Sequence, residues 1–467
     1  MILPSLLATA LQFSQPNTSS LSLPGSLTPL VTHQIQGGLP RRGSLGASFA
    51  PLPKDVSDRL GLKPGVGLLV KAPVSGLTAD RAGLKDGDAL LMINGTAVVQ
   101  GGISSLVRTL ESGGEVTFKV DRGGKELSLK GTMVERPRDP GTKDYSVAYS
   151  HVDTACGRMR TIISTPKKEG KHPALFFIQG LSPLSYDYVM DGPTGDVMRM
   201  AAPILHEFAK SGFVTIRVEK PGVGDSEGGP YQNLGFTEEI DIYRQAMKQL
   251  KAMKEVDTDK VLIFGHSMGG TFGPIIAAES PVKGIAVYGT ASRSWGEYLN
   301  DTLRYQGLLG GESYSQAEES VRAGSRTLGY WYNDKKSPEQ IAKDHPALAP
   351  YVNALLPGGL FNGKNDRFWG ELAALNSAAY WEKLNCSVLA IHGSSDFVSY
   401  EIDHRLIADI VNRSQPGKGR FVSAPAVDHL LNKWGTEKEA LANYAKGDFN
   451  PVLNQILMDW AKETLEH

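Results

Sequence analysis

Two rhythms of apolar and polar positions divide this chain. Beyond about residue 170, apolar runs recur with helical patterns between them: ALFFIQG (174–180), FVTIRVE (213–219), VLIFGHS (261–267), GIAVYG (284–289), SVLAIHG (387–393) and GRFVSAP (419–425). Runs this continuous suit strands buried on both faces. Strands that alternate with amphipathic helices predict a mostly parallel sheet covered on both sides. Residues 291–385 break the rhythm with helical and loop patterns only. That is too long for a simple crossover, so an insertion is expected there.

The pattern before residue 136 is different. VGLLVKAPV (66–74) reads as a strand, and DALLMINGTAV (88–98) carries a hairpin-type turn signal at Asn94-Gly95 between apolar flanks. Ile103, Leu106, Val107 and Leu110 fall at helical spacing. Residues 115–120 and 125–129 flank Arg122-Gly123-Gly124, another hairpin signal. The proline-rich, charged ERPRDPG (135–141) marks a boundary. The expected class is α/β: a leader over 1–38, a small β-rich domain over 39–136, and a mostly parallel α/β domain over 145–467 with its insertion at 291–385.

Composition adds mainly exclusions. The chain has 467 residues, 41% apolar and 21% charged, with a formal net charge of −1. It has no basic stripe with interleaved aromatics, so a nucleic-acid partner is not expected. No apolar run approaches the roughly 20 residues of a membrane span. The two cysteines, Cys156 and Cys386, stand too far apart in sequence for a CxxC site and make no disulfide framework. No HExxH or paired-histidine spacing suggests a metal, and no cofactor is called for. The first 40 residues contain no Lys, Arg, Asp or Glu, and Ala8-Thr9-Ala10 has the small-x-small form of a signal cleavage site. The positive n-region is missing. Export to the periplasm or medium is the expectation, with a cytoplasmic tail as the alternative.

The chemistry concentrates at GHSMG, residues 265–269, which fits G-x-S-x-G between an apolar strand and a helical stretch, TFGPIIAA (271–278). A serine at such a turn projects its hydroxyl above the sheet edge, and small flanking residues let strand and helix approach. Residues 145–467 resemble an α/β-hydrolase with a helical cap. The resemblance implies Ser267 as nucleophile. It also implies Asp396, in HGSSD beyond a strand end, as the acid, and His429, in the loop after GRFVSAP, as the base. Asp428 is the rival acid, but it adjoins His429 and points away from its neighbour's ring. His266, His392 and His404 read as structural. The oxyanion hole is expected from the amides of Met268 and Leu181, the latter in a QG-x loop where the family has HG-x, with Gly180 the alternative donor. KPGVGDSEG (220–228) resembles the family's RG-x-G-x-S turn. It lacks GxGxxG spacing, and GGLFNGKN (358–365) fails as a phosphate loop for want of Ser or Thr.

Four of six tryptophans lie in the insert (Trp295, Trp331, Trp369 and Trp381), either as the cap's own core or as the wall of an apolar acyl pocket. The N-terminal unit, with RAGLKDGDALLMING at 81–95, resembles a PDZ domain of the bacterial protease-associated type. That implies a carboxylate-binding loop at Ser44, Leu45, Gly46 and Ala47, a groove lined by Ile103, Ser104 and Val107, and a C-terminal peptide as ligand. A groove closed by the chain itself is the alternative. The expected function is a serine hydrolase acting on a small-molecule acyl ester through an acyl-enzyme. The alternatives are a serine peptidase and an inactive hydrolase serving as a PDZ scaffold.

Overall fold

The computed structural model describes residues 38–100, 102–187 and 201–466, and the expected leader over 1–37 lies outside them. The N-terminal unit contains β1 (Gly43–Ser44), β2 (Ser48–Pro51), β3 (Leu68–Lys71), β4 (Ala89–Ile93), β5 (Thr96–Ala97), β6 (Glu115–Arg122), β7 (Lys125–Thr132) and β8 (Val134–Glu135). The order β2-β3-β4-β6-β7 makes an antiparallel sheet, with β5 on β4 and β1 paired to β8. At the β4–β5 turn Asn94 and Gly95 both take positive φ, 48° and 76°. A tight two-residue hairpin needs that geometry, and Asn tolerates it. Among the described residues, β2 is an edge strand, paired with β3 alone.

The larger unit holds β9 (Tyr145–Thr154), β10 (Gly157–Pro166), β11 (His172–Ile178), β12 (Val214–Val218), β13 (Val256–His266), β14 (Gly284–Tyr288), β15 (Ser387–Gly393) and β16 (Gly419–Ala424). Their order is β16-β15-β14-β13-β11-β12-β10-β9. The pairs from β12 to β16 are parallel, whereas β9 and β10 form an antiparallel hairpin at the β12 edge. The sequence reading did not single out that hairpin. β9 alternates exposed and buried positions at its outer end instead of running apolar throughout.

Alternate residues of each central strand feed opposite cores. Phe176, Ile263, Val287 and Val388 face one, which includes α1 (Phe236–Ala252) and α2 (Gly269–Glu279). Leu175, Phe177, Leu262, Phe264 and Leu389 face the other, with the C-terminal helix α3 (Val452–Glu466). This period of two produces the two-sided burial read from the sequence. Register then places the site. Ile178 pairs with Gly265, His266 with Tyr288, Tyr288 with Ile391 and Gly393 with Ala424. The turns that carry Gly180, Ser267, Asp396 and His429 therefore leave the sheet along one edge, where parallel sheets bind ligands.

Between β14 and β15 stand the helices of the insert, from Trp295–Leu309 to Ser377–Trp381. Trp369 and Trp381 are buried, and Trp295 stacks on Trp369 at 4.6 Å. Trp331, Phe361 and Phe368 join the same core as the sheet. These side chains hold the inserted helices to the sheet, while Tyr314 is 83% exposed. Among the described residues, no helix is long and apolar enough to cross a membrane.

The boundary segment 135–141 packs closely against the larger unit. The backbone N–H of Asp139 donates to the Tyr149 hydroxyl at 2.8 Å, and Asp139 is buried. Arg41 lies over the Tyr149 ring and pairs with Asp225 at 2.6 Å.

Candidate active site

Ser267 occupies the turn between β13 and α2 with φ of 55°. A left-handed serine costs about 1–3 kcal/mol unless its surroundings hold it there. Here they do. The Ser267 N–H donates to the Tyr288 carbonyl at 2.8 Å. A Cβ on Gly265 would lie 2.5 Å from the Gly269 carbonyl oxygen, and one on Gly269 would lie 2.0 Å from that of Ile178. Gly265 and Gly269 are thus required by close backbone approach, which lets the strand turn into the helix with the serine at the tip.

His429 joins Ser267 to Asp396. The Ser267 hydroxyl donates to His429 Nε2 at 3.0 Å, and Nδ1–H donates to Asp396 Oδ2 at 3.0 Å. Asp396 is fully buried, and its Oδ1 accepts the N–H groups of Val398 at 2.8 Å and Ser399 at 3.0 Å. Its Oδ2 also accepts the Ser399 hydroxyl at 2.6 Å. Burial opposes ionisation of this carboxyl. The charge and hydrogen bond of His429 outweigh burial and hold its pKa below the ordinary carboxylate value. Burial likewise opposes protonation of His429, but Asp396 overrides it and raises the imidazole pKa.

Asp428 does not share this arrangement. Its Oδ1 accepts the amides of Leu430 at 2.9 Å and Asn432 at 2.7 Å, which shapes the loop that presents His429. Burial pushes its pKa up to about 6. His266 has a role the sequence reading missed. Its Nε2–H donates to the His429 carbonyl at 2.8 Å, anchoring the His429 backbone from the turn that carries Ser267. Burial drives its pKa down to about 3, so the ring stays neutral. No sequence signal marks this contact, because the two residues stand 163 apart. His392 donates to the Ser399 carbonyl at 3.2 Å. His404, on helix Glu401–Ser414, is buried and bonded to Tyr400 and Thr290.

Met268 caps α2, and the loop after β11 passes close to Ser267 at Gly180. A Cβ on Gly180 would lie 3.4 Å from Ser267 Oγ. Among the described residues, no backbone carbonyl or side chain accepts the amides of Leu181 or Met268. Both residues are half-buried, as is Ser267. Among the described residues, no group of three or more His, Cys, Asp or Glu is placed to hold a metal ion.

In the N-terminal unit, Leu45 is buried and its carbonyl accepts the Ala79 N–H at 2.8 Å. The Ser44 carbonyl accepts the Thr78 hydroxyl at 2.6 Å. Gly46 has φ of 67°, and a Cβ there would meet Leu77 at 2.3 Å. Ala47 and Phe49 are half-buried on the same core as Ile103 and Val107. The loop 44–47 is thereby tied down at the start of the β2 edge.

Residues 156–405 match the X-Pro dipeptidyl-peptidase (S15) family, over more than half of the chain. The chain belongs to the S15 family. This S15 chain is a serine hydrolase of the α/β type. A curated relative, "Probable periplasmic serine endoprotease DegP-like" of Bartonella henselae, is 33% identical over 129 residues, 27% of this chain and 25% of the relative. Its counterpart in a Marinomonas species is 29% identical over 123 residues, 26% of each chain. The match covers a PDZ-like region, so the S15 chain spans about a quarter of these relatives' length. Among solved structures, a thermophilic esterase from Thermogutta terrifontis aligns at TM-score 0.39 and 16% identity, over 68% of this chain and 99% of that one.

Proposed function

We propose that the chain hydrolyses carboxylic esters of small molecules through an acyl-enzyme on Ser267. In this reading Ser267 Oγ attacks the carbonyl carbon while His429 Nε2 takes its proton. The Met268 and Leu181 amides hold the oxyanion. The tetrahedral species collapses, His429 protonates the departing alkoxide, and the acyl group remains on Ser267. A water deprotonated by His429 then releases the acid. Asp396 orients the imidazole and stabilises its charged form. The observation that carries the reading is the unbroken Ser267–His429–Asp396 chain, 3.0 Å at each step, at a serine held in left-handed backbone.

In the cap, Asp301 pairs with Arg293 and Arg304, Asp344 with Lys336 and Asp366 with Lys335. The S15 match favours a second reading, release of X-Pro dipeptides by the same machinery. Turnover of p-nitrophenyl acetate against X-Pro-p-nitroanilide separates the two. Ester turnover alone supports the first reading, and faster anilide turnover replaces it.

The loop Ser44–Leu45–Gly46–Ala47 and the β2 edge are proposed to receive a peptide C-terminus by strand addition. Export of the chain is proposed on the periplasmic naming of the DegP-like relatives.

A further inference from the structure

Two stretches of the sequence imitate phosphate loops without completing one: KPGVGDSEG lacks the spacing, and GGLFNGKN has Asn365 where Ser or Thr belongs. A lysine from each meets one buried carboxylate behind the oxyanion loop. Lys220 Nζ lies 2.6 Å from Glu239 Oε1, and Lys364 Nζ lies 2.8 Å from Oε2. All three residues are fully buried. Glu239 belongs to α1, Lys220 follows β12, and Lys364 belongs to the cap. Buried charges are costly unless each is paired and hydrogen-bonded.

Lys220 also donates to the Gly180 carbonyl at 2.5 Å and to the Leu181 carbonyl at 3.0 Å. With Glu239, these acceptors account for the ammonium's three protons. The Tyr231 hydroxyl donates to the same Leu181 carbonyl, and Lys364 sits 3.5 Å above the Tyr231 ring. The loop over Ser267 is thus gripped by its carbonyl oxygens. It is gripped by groups that themselves lead to the cap.

One peptide unit connects this grip to the chemistry. The Gly180 carbonyl and the Leu181 N–H belong to the same planar unit and point in opposite directions in its trans form. An ammonium on the oxygen withdraws electron density from the unit and strengthens the N–H as a donor, the more so in a low-dielectric interior. It also fixes which way the N–H points. Gly180 is close enough to Ser267 that a Cβ there would stand 3.0 Å from the serine Cβ.

We infer that Lys220 is a positioning residue of the oxyanion hole: it holds and polarises the Gly180–Leu181 peptide so that the Leu181 N–H meets the oxyanion, and Glu239 and Lys364 tie that setting to the cap. The inference rests on Ser267 as nucleophile and Leu181 as donor. If Lys220 served stability alone, its loss would lower the melting temperature and leave the chemistry of the folded enzyme unchanged.

The test compares wild type, Lys220→Met and Tyr231→Phe. It measures kcat and KM for p-nitrophenyl acetate, the inhibition constant of a trifluoromethyl ketone that forms a tetrahedral adduct on serine, and the thermal melt. Lys220→Met should lower kcat by roughly 10- to 100-fold, somewhat less than the loss of an oxyanion donor itself. KM should change little, and the ketone should weaken by the same factor as kcat. Tyr231→Phe, which keeps the lysine, should lower both by a few-fold. A folded Lys220→Met with unchanged kcat and ketone affinity overturns the inference. If that variant does not fold, unchanged kcat and ketone affinity in Tyr231→Phe overturn it. Failure of the wild-type protein to react with a fluorophosphonate overturns the serine reading beneath it, a result distinct from either variant's.

Discussion

Arg41 of the N-terminal unit and Asp225 of the hydrolase form an ion pair of 2.6 Å in which both side chains are almost wholly buried. The Arg42 N–H donates to the other Asp225 oxygen at 2.9 Å, and Arg160 approaches the carboxylate at 3.3 Å. Asp187 completes the cluster by pairing with Arg41. The two units are therefore joined by interlocking charges that neither could bury alone. Burial opposes ionisation of Asp225, and the Arg42 amide and the two guanidinium groups still hold its pKa below the ordinary range.

Asp225→Ala should strand guanidinium groups in the interface. Removing one member of a buried pair costs about 3–5 kcal/mol. A thermal melt should show a clear fall in stability, and limited proteolysis should open the segment between residues 136 and 145. Replacing Arg41 and Asp225 together by leucine should restore part of the loss, because the Arg41 guanidinium that Asp225→Ala strands is itself removed; Arg160 and Asp187, which each lose one partner, keep the recovery partial.

Strain at Ser267 predicts a trade of function against stability. Ser267→Gly and Ser267→Ala should both lose about 10⁴-fold or more in kcat. Glycine accepts positive φ without cost, whereas alanine does not. The glycine variant should therefore be the more stable of the two, by about 1 kcal/mol, in paired denaturant titrations.

The identity of the acid is open to a paired substitution. Asp396→Asn should lower kcat by about 10³–10⁴-fold, because His429 loses the group that orients its Nδ1–H. Asp428→Asn keeps an oxygen for the Leu430 and Asn432 amides and should cost less than about tenfold. A larger loss from Asp428→Asn than from Asp396→Asn would reverse the assignment.

The pH profile carries a signed expectation. His429 must be neutral to act as base, and Asp396 raises its pKa. In the wild-type protein kcat/KM should fall as pH drops through that raised value. In Asp396→Asn the raising charge is gone, so the acid limb should move to lower pH while the plateau drops. An acid limb that moves upward would contradict the arrangement.

The central strands are legible in the sequence because burial on both faces leaves unbroken apolar runs, as in VLIFGHS. Ser267 and Asp396 each stand just past such a run, whereas His429 follows β16, an edge strand of mostly half-buried or exposed positions; parallel strands deliver all three C-terminal turns to one edge. The hairpin β9–β10 is less visible, since its outer positions face solvent and its apolar pattern breaks. The contacts that set the site are not legible at all. Glu239 and Lys364 stand 125 positions apart, Arg41 and Asp225 184 apart. Their residue types promise charge and no specific partner. Lys220 and Lys364 even sit in stretches that mimic another function, because glycine-rich turns serve close packing as readily as phosphate binding.

Reaction with a fluorophosphonate, followed by peptide mapping, tests the central claim most directly. The wild-type protein should take up one label, on the peptide that contains Ser267, and His429→Ala should label far more slowly. No label, or a label on another residue, would contradict the account.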